Sequence, residues 1–269
     1  LMAGSGEEWV KQAEQVLHIA GSDPSGYVGR LTEAETEALQ FVKEETRKVY
    51  AETKLQDKDF LRFLRACEFD HDKSLKMLLA DLEWRATEKP WDIKIEDVRA
   101  PFDNGTFLPV GKDKRGRPTI YYFAHLHDPQ LSEVASKLTL YTMEQKCREV
   151  EDTDEETFTM VFDLTGYGLR NMDVNFCWSV ISRLQSSFPE RLGMCLILNA
   201  PSVFSILWNI CRPWLAKRTA EKILFLDGDY KGKLGALIAA EETPVALGGT
   251  LAATPQSHIT VLLAQPTVN

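Results

Sequence analysis

FPERLGMCLILNAPSVFSILWNICRPWLAKRTAEKILFL, residues 188–226, carries two continuous apolar runs, MCLILNA and KILFL, separated by a segment apolar nearly all round its length. Short apolar runs bounded by turn residues read as strands buried on both faces, and such runs alternating with helical segments read as a sheet covered by helices. The intervening segment, Pro201 to Lys222, opens with a proline and closes on Arg212, Lys217 and Arg218.

The same alternation extends upstream. TFLPVG (106–111), the turn KRGRP (114–118) and TIYYFA (119–124) precede a helical stretch from Ser132 to Glu151; TFTMVFDL (157–164) then precedes a second from Phe176 to Ser187. Further upstream the pattern is helical only. Thr32 followed by Glu35 forms a capping box, a second helix begins near Asp57, and Asp70 or Asp72 caps KSLKMLLADLEWRATE, whose leucines keep helical spacing. The fold class is α/β, with these divisions: residues 1–30, a mobile lead-in holding an amphipathic stretch from Trp9 to Ile19; 31–95, a helical subdomain; 96–255, the α/β domain; 256–269, a terminal strand or tail.

Composition narrows the function. With 269 residues, 44% of them hydrophobic, the chain can bury a sizeable core. Its 31 basic against 40 acidic residues give a net charge of −9, the wrong sign for a nucleic-acid binder, so any anionic ligand requires a local basic cluster. Five scattered cysteines, an odd number without a CxxC pair, suggest neither a disulfide framework nor a zinc site and point to a reducing, cytoplasmic compartment. No run approaches the roughly 20 apolar residues of a membrane span, and the opening LMAGSGEEWV is too acidic for a secretory signal.

No GxSxG, GxGxxG, GxxxxGK or HExxH string occurs, so the chain reads as a non-enzyme with no catalytic residues. Asp163 at a strand end reads as a loop cap, and His125 with His127 lack the further ligands that a metal site needs. The apolar segment is more informative. Val203, Phe204, Ile206, Leu207, Trp208, Ile210, Cys211, Trp214 and Leu215 suit either a buried helix or a gate over an apolar cavity that meets a bilayer when it opens. Two tryptophans and a basic edge fit the second reading, because indole prefers the headgroup level and cations are drawn to anionic lipid. An elongated apolar cavity is therefore expected between this segment and the sheet.

FLRFLRACEFDHDKSLKML (60–78), the Trp84-Arg85 pair, KDKRGRPTIYYF, VFDLTGYG, FPERLG…NAP…PWL…K, KILFL and PVALGG follow one another as in CRAL-TRIO lipid-binding proteins, over about residues 31–250. The chain is most similar among these to the phosphatidylinositol transfer proteins. The resemblance implies a CRAL-TRIO fold: an N-terminal helical subdomain, then a mixed β-sheet covered by helices around a hydrophobic lipid pocket with a movable gate. It also implies headgroup binding by Glu190 and Arg191 in the PERxG string and by Thr219 and Lys222 beyond the gate. Thr219 and Lys222, three apart on one helical face, can reach one phosphate.

Two departures modify the expectation. Cys67 and Glu68 stand where headgroup-binding members carry a basic pair, and Phe158 and Met160 stand where choline-lipid binders carry Ser and Thr, with Ile120 and Tyr121 displacing a tyrosine. These changes favour a more apolar guest. The expected protein shields and exchanges a phospholipid, with phosphatidylinositol as the best single choice, or a sterol or isoprenoid lipid. It has no metal and no cofactor beyond the bound lipid, acts as a monomer, and touches membranes only transiently as a peripheral cytoplasmic protein. The alternative is a lipid-regulated signalling or trafficking adaptor that uses the acidic run Glu149 to Thr157 to bind a basic protein partner.

Overall fold

The computed structural model describes residues 13, 25–151, 153 and 155–254. Thr32 opens α1 (Glu33–Val49): its hydroxyl accepts from the Glu35 amide at 3.3 Å, while the Glu35 carboxylate accepts from the Thr32 amide at 2.8 Å. Unpaired donors at the helix start are thereby satisfied. After α2 (Asp57–Ala66), Asp70 caps α3 (His71–Glu88) by accepting from the Lys73 amide at 3.0 Å. Ala38, Leu39 and Val42 of α1 meet Phe60, Leu61 and Leu64 of α2 and Leu78 of α3 in a core separate from those around the sheet.

Residues 25–30, which the sequence places in a mobile lead-in, are fastened to α2. Arg65 donates to the Gly26 carbonyl at 2.8 Å and holds its guanidinium 4.1 Å from the centre of the Tyr27 ring. Of the stretch Trp9 to Ile19 only Ala13 is described, and residues 256–269 lie outside the described residues.

A short helix, α4 (Arg99–Asp103), leads into five strands: β1 (Phe107–Leu108), β2 (Thr119–Phe123), β3 (Phe158–Asp163), β4 (Leu192–Leu198) and β5 (Ile223–Leu226). Their order in the sheet is their order in the chain, with β1 antiparallel to β2 and the other pairs parallel. The connections are α5 (Ser132–Glu149), α6 (Val174–Ser187), and then α7 (Phe204–Cys211) with α8 (Lys217–Ala220). Right-handed crossovers between neighbours taken in order place all connecting helices on one face. Leu138 of α5, Phe176 of α6 and Phe204 of α7 accordingly share a core with Ile120, Met160 and Ile197. Tyr121, Val161 and Leu196 on the other face are covered by α9 (Tyr230–Leu237) and the turn at Leu247. Because the strand order never reverses, there is no switch-point crevice of the doubly wound kind. Space for a ligand must open between the sheet and its helical layer.

The KDKRGRP and PERLG strings interlock beneath the sheet's leading edge. Arg117, fully buried, donates from Nε to Asp113 Oδ2 at 2.5 Å, and the Thr159 hydroxyl donates to the same oxygen at 2.7 Å. A Cβ at position 193 would lie 2.5 Å from Thr157 Oγ1 and 2.7 Å from Arg117 Nη1, so only glycine passes there. Breaking this buried pair from one side would leave an uncompensated charge, a loss of about 3–5 kcal/mol.

Candidate functional site

The helices above the sheet do not close down on it. A cavity of about 420 Å³ lies between Phe158, Met160 and Phe162 of β3, Cys195 and Ile197 of β4, and the inward faces of α6 and α7, within the roughly 300–1,000 Å³ of ligand pockets. One cause is the brevity of α7. Its eight residues run about 12 Å before a 3₁₀ turn at Arg212–Trp214 and an extended Leu215 carry the chain away. Both Phe158 and Leu164 line the space, so it follows the strands for six residues, roughly 20 Å at about 3.3 Å each.

In α7 the helical period decides which side chains reach the cavity. Phe204, Leu207, Trp208 and Cys211 line it, as does Leu215, while Val203 and Trp214 pack beside the core without lining the cavity. Ile206 and Ile210, expected in the pocket, turn outward and are 51% and 39% exposed, because positions two from an inward residue fall on the opposite face. Trp178 of α6, 53% exposed, meets Trp214 edge-on at 5.0 Å. The floor needs one correction. Tyr121 points to the opposite face, its phenol donating to the Glu242 carbonyl at 2.8 Å; Ile120 is buried on the cavity side without lining it, and Tyr122 takes the lining place.

The strand-start end of the cavity is charged, lined by Glu68, Glu190, Lys217, Arg218, Thr219 and Lys222. Glu190 adopts a left-handed backbone, φ 56°, just before β4. Its carboxylate lies 3.2 Å from Arg218 Nε and 3.5 Å from Lys222 Nζ. Lys222 is 8% exposed, and burial pulls its ammonium below the ordinary lysine value against the opposing pull of Glu190. Thr219 and Lys222 do not share a helical face: α8 ends at Ala220, and Lys222 stands at the entry to β5 with its amide donating to the Thr219 carbonyl at 3.1 Å. They still converge on the cavity.

Arg191 does not. The left-handed turn at Glu190 sends it the other way, to donate from Nη1 to the Glu156 carbonyl at 2.9 Å, where burial depresses its pKa. Of the two departures at 67 and 68, Glu68 reaches the cavity from a left-handed position, φ 53°, whereas the Cys67 thiol faces Met77 at 3.8 Å and burial raises its pKa.

The strand-end rim is polar, built from His127, Asn171 and Asp173. His127 Nε2 lies 3.1 Å from Asp173 Oδ2, and Asn171 holds the His125 and His127 carbonyls at 3.0 Å. Asp163 accepts from the amide and hydroxyl of Thr165, the loop-cap role its position suggests. Among the described residues no three potential ligands converge to hold a metal ion. The acidic run is partly engaged within the fold: Glu156 lies 2.8 Å from Arg65, and Glu155 accepts from Thr157.

Two sets of residues went unread in the sequence. The roof stripe Phe176, Cys177, Val180, Ile181 and Leu184 lines the cavity at helical spacing, a signal present in the string. Gln185 had none: its amide donates to the Trp214 carbonyl at 2.8 Å and accepts from the Ala216 amide at 2.6 Å, latching the end of the gate segment to α6.

Comparison with known proteins agrees with this architecture. Family profiles match at residues 25–80, the CRAL/TRIO N-terminal domain, and residues 102–249, the CRAL/TRIO domain. Phosphatidylinositol transfer protein CSR1 of Eremothecium gossypii is 32% identical over 207 residues, which cover 72% of this chain and 47% of that protein. Protein real-time of Aedes aegypti is 27% identical over 249 residues, covering 83% of this chain and 38% of its own length. The chain therefore spans less than half the length of these curated relatives. The crystal structure of Sfh5 aligns with a TM-score of 0.56 at 16% identity over 97% of this chain and 98% of that one, a likeness of fold. No helix among the described residues is long and apolar enough to cross a membrane.

Proposed function

The chain belongs to the CRAL-TRIO family, and we propose that it is a lipid carrier that takes one phospholipid, acyl chains in the cavity and phosphate at the charged end, and exchanges it at a bilayer surface. The observation that carries this reading is the buried Lys222 ammonium within the charged end of a cavity whose walls are mainly apolar. Lys217, Arg218 and Lys222 face Glu68 and Glu190 there, an excess of one positive charge that matches the single negative charge of a phosphodiester. Acyl burial supplies about 0.8 kcal/mol per CH₂ and little selectivity, so selectivity belongs to the charged end. Phosphatidylinositol is the specific choice. Glu68 narrows it, since a carboxylate beside the phosphate site disfavours headgroups bearing further phosphates. The outward Ile206 and Ile210 on α7, with the exposed Arg212 just beyond its end, form a surface suited to the bilayer interface.

Extraction and mass spectrometry of the protein purified from cells tests the reading. One phospholipid per chain is expected. A chain that purifies empty, and that moves no fluorescent phospholipid between vesicles, is not a carrier. A chain loaded only with neutral lipid keeps the carrier role and loses the phosphate site.

A further inference from the structure

Among the described residues, the roof helix α7 makes no hydrogen bond to another element. Between Ala200 and Pro213 the bonds are local, such as the Phe204 amide to the Pro201 carbonyl at 2.9 Å and the Ser205 hydroxyl to the Ser202 carbonyl at 2.6 Å. Fastening falls to the two flanks. On the entering side the Asn199 side-chain amide donates to the Thr165 hydroxyl at 2.8 Å. On the leaving side Gln185, in the last turn of α6, spans Leu215: it donates to the Trp214 carbonyl at 2.8 Å and accepts from the Ala216 amide at 2.6 Å. Trp178 lies seven residues earlier on α6, two turns away and so on the same face, and its ring meets that of Trp214 at 5.0 Å. The end of the gate is thus held from α6 by one side-chain amide and one indole.

We infer that Gln185 is the catch on this gate, a positioning residue that sets how readily the segment lifts and lipid passes. Lipid passage rests on the proposed carrier role; the hold on Trp214 and Ala216 does not. The segment needs no help from Gln185 to fold, since the turn after α7 closes its own hydrogen bond, from the Leu215 amide to the Arg212 carbonyl at 3.1 Å. What Gln185 adds is attachment to another element. A planar side-chain amide carries a donor and an acceptor side by side, so one residue satisfies both backbone groups that flank the extended Leu215, φ −80° and ψ 133°. Both bonds are neutral and stand at a partly exposed bend where water can replace them, so the catch biases the gate and still releases it. Gln185 also lines the charged end of the cavity beside Lys217 and Thr219. The gate is therefore caught at its headgroup edge, while the rest of its length is held by packing.

The test uses the full chain with Gln185→Met, which keeps the side-chain length and loses both bonds. Two neutral hydrogen bonds are worth about tenfold in an opening equilibrium. Limited trypsin cleavage after Lys217 and Arg218, which follow the catch, should quicken about tenfold, because such cleavage tracks the open population. Entry and departure of a fluorescent phosphatidylinositol in a vesicle assay should quicken by a similar factor, so that affinity moves less than either rate. A purely structural glutamine would lower affinity or the urea midpoint and leave the entry rate unraised; that result, or unchanged cleavage, overturns the catch. Should Gln185→Met not fold, Trp178→Ala at its exposed position removes the ring contact on the same end and should quicken cleavage about threefold; unchanged cleavage in that variant then overturns it. Should the wild-type chain move no lipid, the carrier reading fails separately, and the cleavage rates still decide the catch.

Discussion

The two faces of the central sheet arise from the same strands, one residue apart, yet one is close-packed and the other hollow. On the packed face Val161, Leu196, Leu198 and Leu226 are fully buried against Leu234, Leu237 and Ile238, on and just after α9, which follows β5 after a short turn. On the hollow face the bulkier Phe158, Met160 and Phe162 alternate with them along β3 and border open space. Larger side chains on the emptier face rule out residue volume as the cause. The difference lies in the cover: a short helix laid directly on one face, and on the other a layer assembled from crossover helices, with an eight-residue α7 that cannot fill its share. A ligand cavity can thus be made by shortening one crossover, with no change to the strand pattern.

The largest expected effect separates the faces by stability. Leu196→Ala should cost about 2–5 kcal/mol, the sum of lost transfer energy and a new cavity, while Met160→Ala, whose side chain already borders a void, should cost less than half as much in urea unfolding. Equal losses would mean that the hollow face is filled in solution. Ligand should act on the hollow face: at a free lipid concentration 100-fold above Kd, stability should rise by about 2.7 kcal/mol, read as a higher unfolding midpoint. That gain should be absent when Met160 and Phe162 are both replaced by Trp to fill the space.

Lys222→Ala sharpens the contrast within the hollow face, lowering affinity for an anionic phospholipid by about 1.5–3 kcal/mol, the scale of a hydrogen bond to a charged group, with neutral-lipid loading unchanged in a vesicle assay. The smallest effect is one of pH. Because burial holds the folded pKa of Lys222 below its ordinary 10.5, the unfolded chain binds a proton that the folded chain lacks throughout the window between the folded value and 10.5. Stability from this group therefore rises with pH across that alkaline window. Lys222→Met should remove the rise, measurable as a flatter dependence of the urea midpoint on pH.

Much of this contrast was legible in the string and some was not, for reasons that can be located. Strands β2 to β5 declared themselves because burial on both faces demands continuous apolar runs, and the Thr32 and Asp70 caps because only short polar side chains close a helix start. The assignment of Tyr121 rather than Tyr122 to the cavity had nothing to guide it: adjacent tyrosines are identical to a period-two pattern, and one residue of register decides the face. Arg191 failed for a different reason. Its direction depends on the left-handed backbone of Glu190, a conformation uncommon in a non-glycine residue and without a signature in neighbouring residue types. The outward Ile206 and Ile210 show the converse limit, since the two isoleucines sit beside Ser205 and Asn209 and blur the only polar mark of the uncovered side.

The Glu190 backbone has a consequence for turnover. The Glu190 carboxylate stands against Arg218 and Lys222, and on the proposed reading a lipid phosphate joins it there and meets the one positive charge that the two carboxylates leave over. Lys222, the buried cation of the pair, therefore keeps an anionic partner at either stage, so neither the filled nor the vacated state is a deep thermodynamic trap. A shuttle that must surrender what it holds at its destination works best under that near-symmetry, and replacing Glu190 by a neutral residue would convert a reversible ferry into a sink.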